Sequence, residues 1–153
     1  MTKIAIVSGG FDPIHVGHVE LINNASKVVG RDGGGVLVIL NDDNFLINKK
    51  GKPFMPFYER KIILENLKNV DLVIKPIDKD NTVKETLRAL ARLAGKEFKL
   101  YFCQGGDRNL DANNPSNTPE HDVCDEVGIE CVYGLGDKIQ SSSWLIKNSM
   151  KKD

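Results

Sequence analysis

The chain has 153 residues, 41% of them hydrophobic and 27% charged, with 21 Lys and Arg set against 21 Asp and Glu. That length predicts one domain over residues 1–153, able to bury about 68 to 70% of its unfolded surface. The absence of net charge excludes a global field that would gather nucleic acid or an anionic membrane, so neither is expected as a partner.

The predicted elements alternate strand and helix. Ile4, Ala5, Ile6 and Val7 form an apolar run without polar alternation, the pattern of a strand covered on both faces. Ser8, Gly9 and Gly10 end it, and Pro13 pre-sets the backbone ahead of a helical pattern. Val19, Ile22, Ala25 and Val29 recur at helical spacing and predict a helix over 17–29, stopped by Gly30. Gly33, Gly34 and Gly35 lead into a second strand over 36–40, which Asn41, Asp42, Asp43 and Asn44 close. Lys49, Lys50, Gly51 and Lys52 then read as a basic loop. Pro53 and Pro56 precede a helix whose apolar face is Ile63, Leu64 and Leu67.

Leu72, Val73 and Ile74 make the third strand, and Thr82 is the expected N-cap of a helix through Leu87 and Leu90 that Gly95 stops. The fourth strand covers 100–103. A short helix carrying Val123, Cys124 and Val127 ends at Gly128, and the fifth strand covers 129–133. Ser141, Ser142 and Ser143 supply caps for a last helix near Trp144. Five strands alternating with five helices predict an α/β fold, a doubly wound parallel sheet that binds its ligand beyond the carboxyl ends of the strands. No stretch has the length of an apolar membrane span and no N-terminal run has the form of a secretion signal, which predicts a cytoplasmic protein. Cys103, Cys124 and Cys131 are odd in number and lack CxxC spacing, so they read as buried reduced thiols.

The stretch from Lys3 to His18 carries the strongest functional signal. It reads as strand, glycine turn and helix start, and a helix N-terminus offers unpaired N–H donors and partial positive charge to an anion. His15 and His18, three residues apart, share one face of that first turn and add donors to the same anion. The expected ligand is a polyphosphate. Gly9-Gly10-Phe11-Asp12-Pro13-Ile14-His15-Val16-Gly17-His18 resembles the signature of the HxGH nucleotidyltransferase superfamily, which includes glycerol-3-phosphate cytidylyltransferase and heptose-phosphate adenylyltransferase. That resemblance implies a Rossmann-like nucleotidyltransferase fold. It also implies transfer of a nucleotidyl group from CTP or ATP to a phosphorylated polyol or sugar, with release of pyrophosphate and magnesium carried on the nucleotide. CMP transfer to a polyol or sugar phosphate is the first expectation, AMP transfer to a heptose-type phosphate the second, and a non-catalytic nucleotide-binding module the third. A homodimer is the expected assembly.

The chemistry itself asks little of the protein. A phosphate monoester is already largely ionised at neutral pH, its second pKa being about 6, so its attack on an α-phosphorus needs no general base. In-line positioning is needed, with donors and cations for the charge on the α-phosphate and the departing pyrophosphate. The resemblance implies that His15 and His18 hold the triphosphate, that Lys49 or Lys50 closes over it, and that Arg60 reaches phosphate. It further implies that Gly9, Gly10, Phe11 and Gly17 bind the nucleotide, with Gly17 allowing close approach, that Gly105, Gly106 and Asp107 contact base and ribose, that Ser141, Ser142 and Ser143 bind phosphate, and that Asp12 lies near the acceptor. Gly10 departs from the pattern, standing where many relatives carry threonine.

Overall fold

The computed structural model describes residues 1–30, 33–105 and 119–135; the side chains of Lys49 and Lys50 lie outside that description. In chain order the elements are β1 (Thr2–Gly9), α1 (Val16–Val29), β2 (Gly35–Leu40), α2 (Asp43–Lys50), α3 (Phe57–Glu65), β3 (Leu72–Ile74), α4 (Lys84–Ala94), β4 (Phe98–Cys103), α5 (His121–Val127) and β5 (Glu130–Val132). The sheet has five strands in the order β3-β2-β1-β4-β5, and every pairing is parallel. The expected α/β doubly wound parallel sheet is therefore what the chain forms.

The unalternated apolar runs follow from burial on both faces. Ala5, Val7, Val36, Val38 and Leu40 point to one side, where Ile22, Ala25 and Val29 of α1 and Leu64 of α3 cover them. Ile6, Leu37, Ile39, Leu100 and Phe102 point to the other, against Val83, Leu87, Val123 and Cys124 beside α4 and α5. Each such side chain contributes about 1.5–3 kcal/mol by leaving water, so the central strands are the most strongly held part of the fold. The β1–β2 ladder runs to the Gly9–Leu40 pair, and β1 ends at Gly9, within the Ser8-Gly9-Gly10 stretch expected to end it.

Two local expectations are corrected. The segment before Gly51 is not a basic loop, because Lys49 and Lys50 close the helix α2, which Asp42 caps by accepting the Phe45 N–H at 2.9 Å. Thr82 is not the N-cap of α4; Val83 holds that position without a side-chain cap bond. Thr82 Oγ1 accepts only the Lys84 N–H, at 3.4 Å, and the next two donors of the first turn go to Asp78, which accepts from Glu85 at 2.7 Å and Thr86 at 2.9 Å. The serine cluster and the helix expected near Trp144 lie outside the described residues. Cys103 and Cys124 are buried and Cys131 half-buried, and all three are free thiols, as expected. Among the described residues no helix is long and apolar enough to cross a membrane.

Strands β2 and β3 lie to one side of β1 and β4 and β5 to the other. The chain thus reverses its direction of travel across the sheet between β1 and β4, and sheets of this kind bind ligands in the crevice outside the carboxyl ends of the strands at such a point.

Candidate active site

The turn from β1 to α1 stands at that crevice. Gly9 closes the strand, with its carbonyl accepting the Asn41 N–H from the end of β2 at 2.9 Å. Phe11 follows with φ +48°, a left-handed conformation that a bulky residue holds only when its surroundings enforce it. Its ring is buried and lies 4.7 Å, centroid to centroid, from that of His18. The Asp12–Pro13 peptide is cis.

His15 is the N-cap of α1, and the two imidazoles form a reciprocal cap. His15 Nδ1 accepts the Gly17 N–H at 3.1 Å, and His18 Nδ1 accepts the His15 N–H at 3.2 Å. An Nδ1 that accepts carries no proton, so in both neutral rings the hydrogen sits on Nε2. The rings stack 3.7 Å apart at an interplanar angle of 20°. Burial lowers the pKa of His15, and burial followed by the proximity of His15 lowers that of His18 to about 3. At neutral pH the pair is therefore an uncharged double donor with both Nε2–H groups fixed by the cap. An anion set against it would favour the protonated forms and reverse that depression.

Arg60 lies beneath this turn rather than on the helix surface. Its residue is 1% exposed. Nη1 donates to the Gly10 carbonyl at 2.9 Å and the Asn41 carbonyl at 2.7 Å, Nε to the Met55 carbonyl at 2.9 Å, and Nη2 to Asp43 Oδ1 at 2.8 Å. Four of the five guanidinium N–H groups are thus taken by protein. Asp43 Oδ1 also accepts the Phe57 N–H at 2.9 Å, which serves the uncapped start of α3. Asp12 is 2% exposed, with Oδ2 accepting from Phe54 and Oδ1 from Met55, each at 2.5 Å. Asp12 and Arg60 together pin the segment before α3 against the β1–α1 turn.

The structure brings Gly9, Gly10, Phe11, Asp12, His15, Gly17 and His18 together in one turn and places Arg60 directly under it. Lys49 and Lys50 fall in the last turn of α2, and Gly105 is the second residue past β4. Gly106, Asp107, Ser141, Ser142 and Ser143 lie outside the described residues. Sequence reasoning missed Asp43, Asn41 and Gln104; the Asp42-Asp43 pair ahead of Phe45 was the available signal for a capped helix and for an acid near Arg60. Among the described residues no group of three or more His, Cys, Asp or Glu side chains is arranged to hold a metal ion, and both Asp12 oxygens are taken by backbone N–H groups.

The chain thus combines a five-stranded parallel α/β sheet with a pair of stacked histidines capping the helix that follows its central strand. A family model described as cytidylyltransferase-like matches residues 6–133, and the chain belongs to that family. It is 38% identical over 109 residues to an FAD synthase of Korarchaeum cryptofilum, a match that covers 71% of this chain and 70% of that one. A glycerol-3-phosphate cytidylyltransferase of Staphylococcus aureus is 36% identical over 72 residues, 47% of this chain and 52% of the relative. In that match the chain spans about half the length of the relative. The crystal structure of a lipopolysaccharide core biosynthesis protein from Thermoplasma volcanium matches with a TM-score of 0.60 at 19% identity, covering 88% of this chain and 94% of that one, a likeness of fold.

Proposed function

We propose that this protein is a nucleotidyltransferase that joins the nucleotidyl group of a nucleoside triphosphate to a phosphorylated acceptor and releases pyrophosphate. The reading rests on the stacked His15–His18 pair, whose two Nε2–H donors are fixed at a helix start over the switch point. An acceptor phosphate oxygen attacks the α-phosphorus, the bridging bond to the β-phosphate breaks, and the electron pair leaves on pyrophosphate. His15 and His18 donate to the α-phosphate oxygens, where charge gathers in the transition state. Lys49 or Lys50 supplies positive charge from the end of α2. Asp12 and Arg60 hold the walls of the site. Magnesium carried on the nucleotide would supply positive charge to the departing pyrophosphate.

Adenylyl transfer leads cytidylyl transfer in this proposal, because the likeness to the FAD synthase extends over 109 residues and that to the cytidylyltransferase over 72. Its test is pyrophosphate release with magnesium, ATP or CTP, and flavin mononucleotide or glycerol 3-phosphate, for wild type and His18→Ala. Removal of one fixed donor lowers turnover about 100 to 1000-fold, with the far-ultraviolet circular dichroism unchanged. Turnover near that of wild type in the variant would remove the proposed role of the pair.

A further inference from the structure

Two buried side-chain atoms among the described residues have no hydrogen-bond partner, Asn41 Oδ1 and Gln104 Nε2. Asn41 is 6% exposed and Gln104 9%. A buried polar atom left unpaired is costly, and an orphan in a folded chain calls for a physical reason. These two do not fall at random. Each is the first residue past a strand, Asn41 after β2 and Gln104 after β4, and those strands flank β1.

The main chain at both positions is fully paired. Asn41 donates to Gly9 and its carbonyl accepts from Arg60; Gln104 donates to Val132 at 2.8 Å and its carbonyl accepts from Leu135 at 3.1 Å. Backbone movement is therefore closed to them as a remedy, and only the carboxamide ends are unmet. The β1–β4 ladder pairs Ile6 with Phe102, so two residues further on Gln104 lies beside Ser8, at the crevice where the chain reverses direction. Strand alternation puts Gln104 on the Phe102 side of the sheet, the face of α4 and α5, whereas α1 packs on the opposite face. A nucleotide whose phosphates lay at the start of α1 would meet Gln104, toward the other face of the sheet, through its nucleoside end rather than its phosphates.

We propose that Gln104 is a nucleobase-contacting residue, its orphaned carboxamide N–H completed by an acceptor atom on the base of the bound nucleotide. This rests on the nucleotidyl-transfer reading of the same site. The decisive variant is Gln104→Met, which keeps the length of the side chain and removes the donor. Gln104→Glu, which keeps the shape and exchanges the donor for an acceptor, serves as the second. Binding of ATP, CTP and inorganic tripolyphosphate is measured by calorimetry with magnesium, beside the melting midpoint of the free protein.

Both variants are expected to bind the nucleotides about tenfold more weakly and tripolyphosphate as well as wild type does. The free Gln104→Met protein is expected to melt at or above the wild-type temperature, since it has lost an unpaired buried donor. Nucleotide affinity equal to wild type overturns the inference. So does an equal loss for tripolyphosphate, and so does a lower midpoint, which would show the donor already paired in the free protein. Absence of nucleotide binding by the wild type would instead strike the nucleotidyl-transfer reading itself and the inference with it.

Discussion

Arg60→Met removes one guanidinium and leaves everything that it bonds in place. The carbonyls of Gly10, Asn41 and Met55 lose their donors, and Asp43 loses its ion pair. Removing one partner of a buried pair costs about 3–5 kcal/mol when the other charge stays buried. Here the Asp43 side chain is 41% exposed and recovers water, so the lower end applies, about 3 kcal/mol. For a chain of this size 1 kcal/mol moves the melting midpoint by roughly 2–4 °C, so the expected fall is about 6–12 °C. Arg60→Lys restores one charge but not the fork that spans three segments, and should recover less than half of the loss. Thermal melts by circular dichroism, paired with nucleotide titration, give the answer. A guanidinium whose work is to bind phosphate would produce the opposite result, a midpoint within about 2 °C of wild type and a much weaker nucleotide affinity, and that outcome would refute the positioning role.

Two further outcomes follow from the same turn. The pKa of His18 falls from 6.5 in the unfolded chain to about 3 in the fold, and that of His15 is lowered too. Below pH 6.5 the unfolded chain takes up protons that the folded chain refuses, so stability is full above that value and drains away as the pH falls toward 3. For His18 alone the slope is at most ~1.4 kcal/mol per pH unit, and urea melts at pH 7, 6 and 5 should show it flattened in His18→Asn; an unchanged slope would mean that other groups carry it. At Gly10 a Cβ would stand 2.9 Å from Leu46 Cδ2. Gly10→Thr should therefore cost about 1–3 kcal/mol by overpacking, and the Gly10→Thr, Leu46→Ala double variant should be more stable than the sum of its single losses; strict additivity would show that the two side chains do not meet.

The strands were legible because their burial is two-sided and needs no partner to be known. Any run such as Val36 to Leu40, fully apolar and bounded by glycine and asparagine, has few other places to go. The α1 start was legible for the opposite reason, since its cap is local and His15 and His18 bond residues no more than three positions away. Helix α2 was not. Between Asp43 and Asn48 only Leu46 is buried, so no stripe marks the segment, and the helix exists because Asp42 caps it and Leu46 packs over Gly10. The burial of Arg60 was not legible on the same ground. A Tyr-Glu-Arg segment in a helix reads as surface charge or ligand contact, and nothing near it in sequence announces carbonyls 19 and 50 residues away that need a donor.

That contrast bears on how the proposed reaction would be run. The histidine donors sit on a turn tied to β2 through Gly9 and Asn41, to the segment before α3 through Asp12, and to both through Arg60. Donors so fixed need no reorganisation as charge develops on the α-phosphate, which is the condition under which neutral hydrogen bonds stabilise a transition state well. The candidate lysines end a short helix in which, among the side chains described, only that of Leu46 is buried, and which the Asp43–Arg60 pair also holds. An element with so little buried area opens at low cost. In the proposed reaction, triphosphate entry and pyrophosphate exit would be served by withdrawal of the cations, whereas donors at the α-phosphate would gain nothing by moving. Arg60 touches both halves, and through Asp43 it is the contact by which closure of α2 would be felt at the histidine turn.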